Sequence, residues 1–235
     1  MTLKKSIFKP KADCQIINLS SVYENLFGSL ADGIFLEIGA FDGETVSNTC
    51  FLADLGWKGY YCEPIAEYAL KCQFRHVNNN IRVLPCAVGD ISKMIDISVG
   101  AMITSARMDH VELFNNMNWS KGHHRGDLRR VPCVEINQLI LALNLTKCNL
   151  VVVDVEGYEP AILSNWNFSL LRPDVLIIES RDRDNQFPEH IKKEYKDMLY
   201  LLKNNGYHEI QHDGCNVILS CSDKAKQNSD SLLVF

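Results

Sequence analysis

Short apolar runs alternate with helical patterns along most of this chain. Ile34–Ile38 is an apolar run of strand length that ends in a glycine turn, and residues 44–55 then carry a helical pattern. Residues 59–62 and 81–85 predict further strands, with a helix between them over 66–76. The strongest strand signals are LVVVD at 150–154 and VLIIE at 175–179, each apolar up to a terminal acid. A strand without alternation is one covered on both faces, as in a parallel sheet flanked by helices. A short helix is expected over 159–166. A longer one over 189–204 is stopped by Asn-Asn-Gly. Residues 207–211, 217–221 and 232–235 read as closing strands, antiparallel at the edge.

Repeated βα units of this length force right-handed crossovers and a doubly wound α/β sheet. The expected layout is a helical lead-in over 1–30 followed by one Rossmann-like domain over 31–235. Residues 100–130 break the rhythm with Met, Asn, His and Arg in little periodicity, so an irregular insertion is expected there. A long excursion inside a compact domain often carries function, and His123, His124, Arg125, Arg129 and Arg130 suggest a lid over an anionic or polyhydroxylated ligand.

Composition narrows the classes. The 235 residues suit one large α/β domain. The nine cysteines are odd in number, scattered and without a C-x-x-C pair, which implies reduced buried thiols and no zinc site. The first 15 residues lack an apolar run, so no secretory signal is expected, and a cytoplasmic location follows by default. No apolar stretch is long enough to span a bilayer. A net charge of −5 argues against a general nucleic-acid binder.

The candidate chemistry lies at the strand ends. Glu37-Ile38-Gly39-Ala40-Phe41-Asp42-Gly43 places two glycines at the first strand–helix junction, where backbone can pass close beneath a ligand. The spacing is G-x-x-x-G, not the G-x-G-x-x-G of a pyrophosphate cradle. Glu37 suits a cationic ligand group, and S-adenosylmethionine carries an ammonium and no phosphate. Glu63, ending the second strand, can accept hydrogen bonds from ribose hydroxyls. Small residues around Ala87 would accommodate an adenine. Asp154 and Glu156 follow the fourth strand and Glu179 the fifth, at the carboxyl ends where open α/β sheets bind ligands. These carboxylates suit general-base work on a hydroxyl, with Asp154 and Glu156 as the catalytic candidates, or a Mg²⁺ ion held between them; a metal-free base is the preferred form. The polar-Pro-Pro-aromatic signature of amino-group methylation is absent.

These motifs resemble one family. GAxDG at 39–43, the Ser47-Asn48-Thr49 triplet, Gly56-Trp57-x-Gly59 with Glu63-Pro64, VVDVEGYE at 152–159 and Asn205-Gly206-Tyr207 are together similar to FkbM-type methyltransferases. The resemblance implies a class I methyltransferase fold, a mostly parallel seven-stranded sheet with an antiparallel edge. It also implies S-adenosylmethionine as donor and O-methylation of a small-molecule or glycan acceptor such as a sugar or natural product. The donor contacts would be Glu37, Gly39, Ala40, Asp42, Gly43, Asn48, Glu63, Ala87 and Asp154. Two other readings remain: an RNA cap or ribose O-methyltransferase, for which the basic stretch 121–130 speaks, and a non-catalytic binding protein that keeps the fold.

Overall fold

The computed structural model describes residues 7–9 and 14–221. A helix α1 (Leu19–Phe27) precedes the first βα units: β1 (Ile34–Ile38), α2 (Cys50–Leu55), β2 (Lys58–Cys62), α3 (Ala66–Arg75) and β3 (Ile81–Leu84). There follow β4 (Ala87–Gly89), β5 (Lys93–Ser98), α4 (Met108–Asn116), β6 (Leu128–Glu135) and α5 (Ile136–Ala142). The chain then returns to βα alternation with β7 (Leu150–Val153), α6 (Glu159–Asn165), β8 (Val175–Glu179) and α7 (Glu189–Asn204), and closes with β9 (His208–His212) and β10 (Asn216–Ser220). The strand expected at 232–235 lies outside the described residues.

Seven strands form the main sheet in the order β3-β2-β1-β7-β8-β10-β9. All pairs from β3 to β8 are parallel; β10 runs antiparallel to both β8 and β9. The antiparallel strand therefore sits one place in from the edge. Strand order reverses between β1 and β7, which opens the ligand crevice of a doubly wound sheet at their carboxyl ends. Successive residues alternate faces. Leu36, Ile38, Val151, Val153, Leu176 and Ile178 pack under α5, α6 and α7. Phe35, Tyr61, Leu150, Val152 and Ile177 pack under α1 and α2. Both faces are covered, so the unalternating runs are explained.

Two expectations change. The helix anticipated from residue 44 begins only at Cys50. Asp42 accepts hydrogen bonds from the amides of Glu44 and Thr45 and from the Thr45 hydroxyl, and Ser47 Oγ accepts from the amides of Thr49 and Cys50. These side chains satisfy the amides in a looped form, with Val46 at φ 49°, so no helix forms there. The segment 100–130 is also more ordered than its pattern suggests. It holds α4 and the start of β6, and β6 builds a separate three-stranded sheet, β4-β6-β5, with a parallel β4 and an antiparallel β5. One face of that sheet is solvated, and Arg129, Arg130 and Pro132 in β6 obscure its strand character. Among the described residues no helix is long and apolar enough to cross a membrane.

Candidate functional site

Two clefts adjoin at the carboxyl ends of β1 and β7. The larger spans about 610 Å³ with its open mouth and is lined by Gly39, Phe41, Glu63, Ala87, Asp154 and Glu156 among others. The smaller, about 400 Å³, is lined by Gln15, Glu37, Ala40, Val46, Asn48 and Asp154 among others. Gly39, Phe41, Met102 and Asp154 belong to both. The small sheet borders the larger cleft through Ala87, Ile95 and Ile97, and the connection after β5 adds Ala101, Met102, Thr104 and Ala106.

Backbone strain concentrates here. Phe41, Val46, Ala101 and Glu156 all adopt left-handed φ between 49° and 56°, and all line the clefts. Each such conformation in a non-glycine residue costs about 1–3 kcal/mol and persists only where its surroundings enforce it. Four of the six such non-glycine residues among the described ones lie on this crevice.

Glu63 directly follows β2 and is 5% exposed. One carboxylate oxygen accepts from the Phe41 amide at 2.9 Å and the other from the Ile65 amide at 2.8 Å. Burial pushes its pKa up to about 7, against the lowering effect of those two amides. Each oxygen keeps a further lone pair, so the group can clamp the turn and still accept hydroxyls from the cleft. Glu37 is buried beneath the smaller cleft and accepts from the Thr49 hydroxyl, which also contacts Tyr61 Oη. Burial raises its pKa to about 8, opposed by the Thr49 bond, with Asp154 adding a further push upward. Asn48, 3% exposed, donates through its side-chain amide to Gln15 Oε1 at 3.0 Å, and its own Oδ1 has no partner among the described residues.

The turn after β7 carries the acids. Asp154 is half-buried and accepts from Gln15 Nε2 at 3.1 Å. Burial first and Glu159 second raise its pKa to about 6, while Gln15 and Arg181 lower it. Glu156 reaches the crevice, though not by the continued extension that its spacing predicts. It does so through a left-handed turn at φ 55°, and its carboxylate pairs with Arg181 at 3.0 Å. Arg181 also holds Glu179 and stacks 4.8 Å from the Phe187 ring. Glu159 closes the turn by accepting from the amides of Val155 and Gly157 and from Tyr195 Oη.

The structure thus gathers Glu37, Gly39, Ala40, Asn48, Glu63, Ala87, Asp154 and Glu156 on the clefts. Asp42 and Gly43 line neither: Asp42 organises its own turn, and a Cβ on Gly43 would meet Cys72 Sγ at 2.6 Å, so that glycine serves the packing of α3. Gly39 is needed because a Cβ there would lie 1.7 Å from the Asp154 carbonyl oxygen, which is protein backbone and not ligand space. The basic stretch is no lid. His124 is buried against Ser98 and Gly100, His123 lies outside both linings, Arg129 pairs with Asp127, and Arg130 faces Asp96. The sequence reading misses Gln15, which carries no motif signal, and Arg181, whose place two residues beyond a strand-end acid is a readable cue.

These features test what could bind. Asp154 is ionised at pH 7, Glu63 and Glu37 add carboxyl acceptors, and neither lining carries a Lys or Arg, which suits a hydroxylated ligand with a cationic end and disfavours a pyrophosphate. Asn48 Oδ1 adds a buried acceptor without a partner among the described residues. The S-adenosylmethionine chemotype fits this donor set.

Comparison with known proteins agrees with the fold. An O-methyltransferase from Bacillus cereus in complex with S-adenosylhomocysteine superposes with a TM-score of 0.50 at 12% identity, covering 89% of this chain and 82% of that one. The O-methyltransferase TomG from Streptomyces achromogenes, involved in tomaymycin synthesis, gives 0.46 at 15% identity, over 88% and 81%. Aeropyrum pernix fibrillarin with bound S-adenosyl-L-methionine gives 0.46 at 11%, over 84% and 70%. No curated protein matches the chain. The architecture is that of class I methyltransferases. The Methyltransferase FkbM domain matches residues 37–209, and the chain belongs to that family.

Proposed function

We propose that the chain transfers the methyl group of S-adenosylmethionine to a hydroxyl oxygen of a sugar, glycan or natural-product acceptor, with Asp154 as the proton acceptor. The observation that carries this reading is the place of Asp154 on the lining of both clefts, where the donor's two ends would meet. Bound there, the donor supplies an electrophilic methyl group on a sulfonium. Everything else falls to the chain's own groups. Glu63 would accept from the ribose hydroxyls, and Glu37, Asn48 and Asp154 would hold the ammonium end. A sugar hydroxyl is a poor nucleophile at neutral pH, so a base must take its proton as the oxygen is alkylated. Asp154, with a pKa raised to about 6, is ionised at pH 7 yet more basic than an ordinary aspartate. Glu156 faces the same cleft but is tethered by Arg181, which suits orientation of the acceptor better than proton transfer.

Mg²⁺ is not part of this reading. Asp154, Glu159 and Glu179 bring oxygens within 4.8 Å of one another. The Arg181 guanidinium already supplies a cation beside Glu179, and Glu159 is engaged by two amides and a tyrosine. An RNA acceptor is the weaker reading, because within the basic stretch Arg129 and Arg130 face acids of their own.

Mass spectrometry of small molecules retained by the purified protein tests the donor: S-adenosylmethionine or S-adenosylhomocysteine is expected, and a retained dinucleotide would refute it. Turnover on a panel of monosaccharide and phenolic acceptors tests the rest. Asp154→Asn should lower kcat by about 10²–10⁴, beyond the moderate loss of donor affinity that follows from its place near the ammonium end. Wild-type turnover should persist in EDTA.

A further inference from the structure

We infer that Gln15, which lies outside the family-matched residues 37–209, is a positioning residue that sets the orientation of Asn48 and Asp154 toward the clefts. The inference rests on the donor reading above for its functional meaning, but its geometry stands apart from it.

Gln15 is held at both ends. Its amide nitrogen in the backbone donates to the Val46 carbonyl at 3.2 Å, and its side chain reaches the smaller cleft. There one amide group does two opposite things. Oε1 accepts from Asn48 Nδ2, and Nε2 donates to Asp154 Oδ2. A primary amide does both without adding a charge. Because Asn48 must present its NH₂ to Gln15, its oxygen is left as a buried acceptor without a partner among the described residues. Reversing Asn48 would place two carbonyl oxygens against each other and turn an N–H toward the cationic end of the donor. The hydrogen bond to Asp154 likewise fixes one of its carboxylate oxygens and leaves the other for an acceptor.

The lead-in that carries Gln15 is anchored independently. Tyr23 Oη donates to the Asn48 carbonyl at 3.0 Å, and the ring stacks on Phe51 at 5.5 Å. Phe27 packs edge-on against Trp57 at 5.2 Å. The same segment therefore grips Asn48 from its backbone through Tyr23 and from its side chain through Gln15.

Asp154 is faced by charges from several elements: Glu37 on β1, Glu156 and Glu159 beside it, and Glu179, Arg181 and Cys215 across the sheet. Within that setting the Gln15 hydrogen bond lowers its pKa. Two variants separate the effects. Gln15→Met keeps the shape and removes both hydrogen bonds. Gln15→Glu can still accept from Asn48 but places a carboxylate beside Asp154. Carbon-13 carboxyl titration by NMR, with Asp154→Asn for assignment, should show the Asp154 midpoint moving to higher pH in both, farther in the glutamate variant, while the remote Asp54 and Asp109 stay put. Calorimetric titration with S-adenosylmethionine should show about tenfold weaker binding to Gln15→Met, the equivalent of one hydrogen bond, and a smaller loss for Gln15→Glu. An unmoved Asp154 midpoint in a folded variant overturns the inference, as does wild-type donor affinity in Gln15→Met. If the wild-type protein fails to bind the donor at all, the proposed function falls, whereas the titration of Asp154 still reads the role of Gln15.

Discussion

Replacing Arg181 with Met should destabilise the protein in a way that depends on pH. Arg181 is 5% exposed, and it pairs with Glu156 and Glu179, themselves 7% and 2% exposed. Asp184 approaches it at 3.7 Å, and Asp154, Glu159, Tyr195 and Cys215 lie in the same electrostatic neighbourhood. Methionine keeps much of the volume and the contact with Phe187, so the loss is chiefly that of the charge. Removing one partner of a buried ion pair costs about 3–5 kcal/mol, because the remaining charges stay buried without compensation. Glu156 already has a pKa raised to about 8 by burial, and Glu179 is raised as well, with Arg181 holding both down. Without the guanidinium the folded-state values climb farther above the unfolded ones. The folded variant then binds more protons than its unfolded chain, and its stability rises as pH falls. Urea unfolding followed by tryptophan fluorescence, to which the buried Trp57 and Trp166 contribute, should show a deficit that grows as pH rises through about 8 toward 9.5, where the wild-type Glu156 gives up its proton and the variant's does not. Near pH 5.5, where these carboxyls are protonated in both folded chains, the deficit should be smallest; between there and about pH 9.5 it should grow by more than 1 kcal/mol, since a tenfold change in a folded-state proton affinity is worth about 1.4 kcal/mol once pH lies above both values. Adding Glu156→Gln and Glu179→Gln should restore most of the loss. A deficit that is constant across this range, or below about 1 kcal/mol throughout, would refute the reasoning.

Other outcomes follow from the same geometry. Glu63→Ala should weaken S-adenosylmethionine binding by about 1.5–3 kcal/mol in calorimetric titration, through loss of charge-assisted acceptors and of the clamp on the Phe41 amide. Gly39→Ala should prevent native folding, visible as loss of the cooperative thermal transition, because its Cβ would overlap the Asp154 carbonyl. The acid limb of the kcat profile should have its midpoint near pH 6, with activity falling as Asp154 takes up a proton below it; a profile flat from pH 5 to 8 would remove Asp154 as the base.

Much of this is legible in the chain because local signals and burial coincide. The runs at 34–38, 150–153 and 175–179 are covered on both faces, and that coverage is what their unbroken apolarity reports. The strand-end acids Glu63 and Asp154 can be placed because the fold sends every parallel strand's carboxyl end to the same side. The rest depends on contacts far apart in sequence. Gln15 and Asp154 are separated by 139 positions, and nothing near residue 15 announces the partner. Glycines 39 and 43 share a motif yet answer to different neighbours, a strand carbonyl and a helix thiol. His124 and Arg125 look alike as members of a basic stretch, but one is buried in the small sheet's support and the other is exposed. Side-chain direction, not residue type, decides such cases.

The docking of the lead-in onto the α1–α2 layer has a thermodynamic consequence. A molecule held against Gln15 and Asn48 engages the chain only while residues 14–27 are in place, so its affinity is reduced by whatever fraction of the time that segment is undocked. Occupancy and docking are linked equilibria, and each stabilises the other by the same free energy. Amide hydrogen exchange over 14–27 should therefore slow when the smaller cleft is filled. Loosening Phe27 against Trp57, at the far side of this aromatic layer from the clefts, should weaken the ligand without touching any group that contacts it.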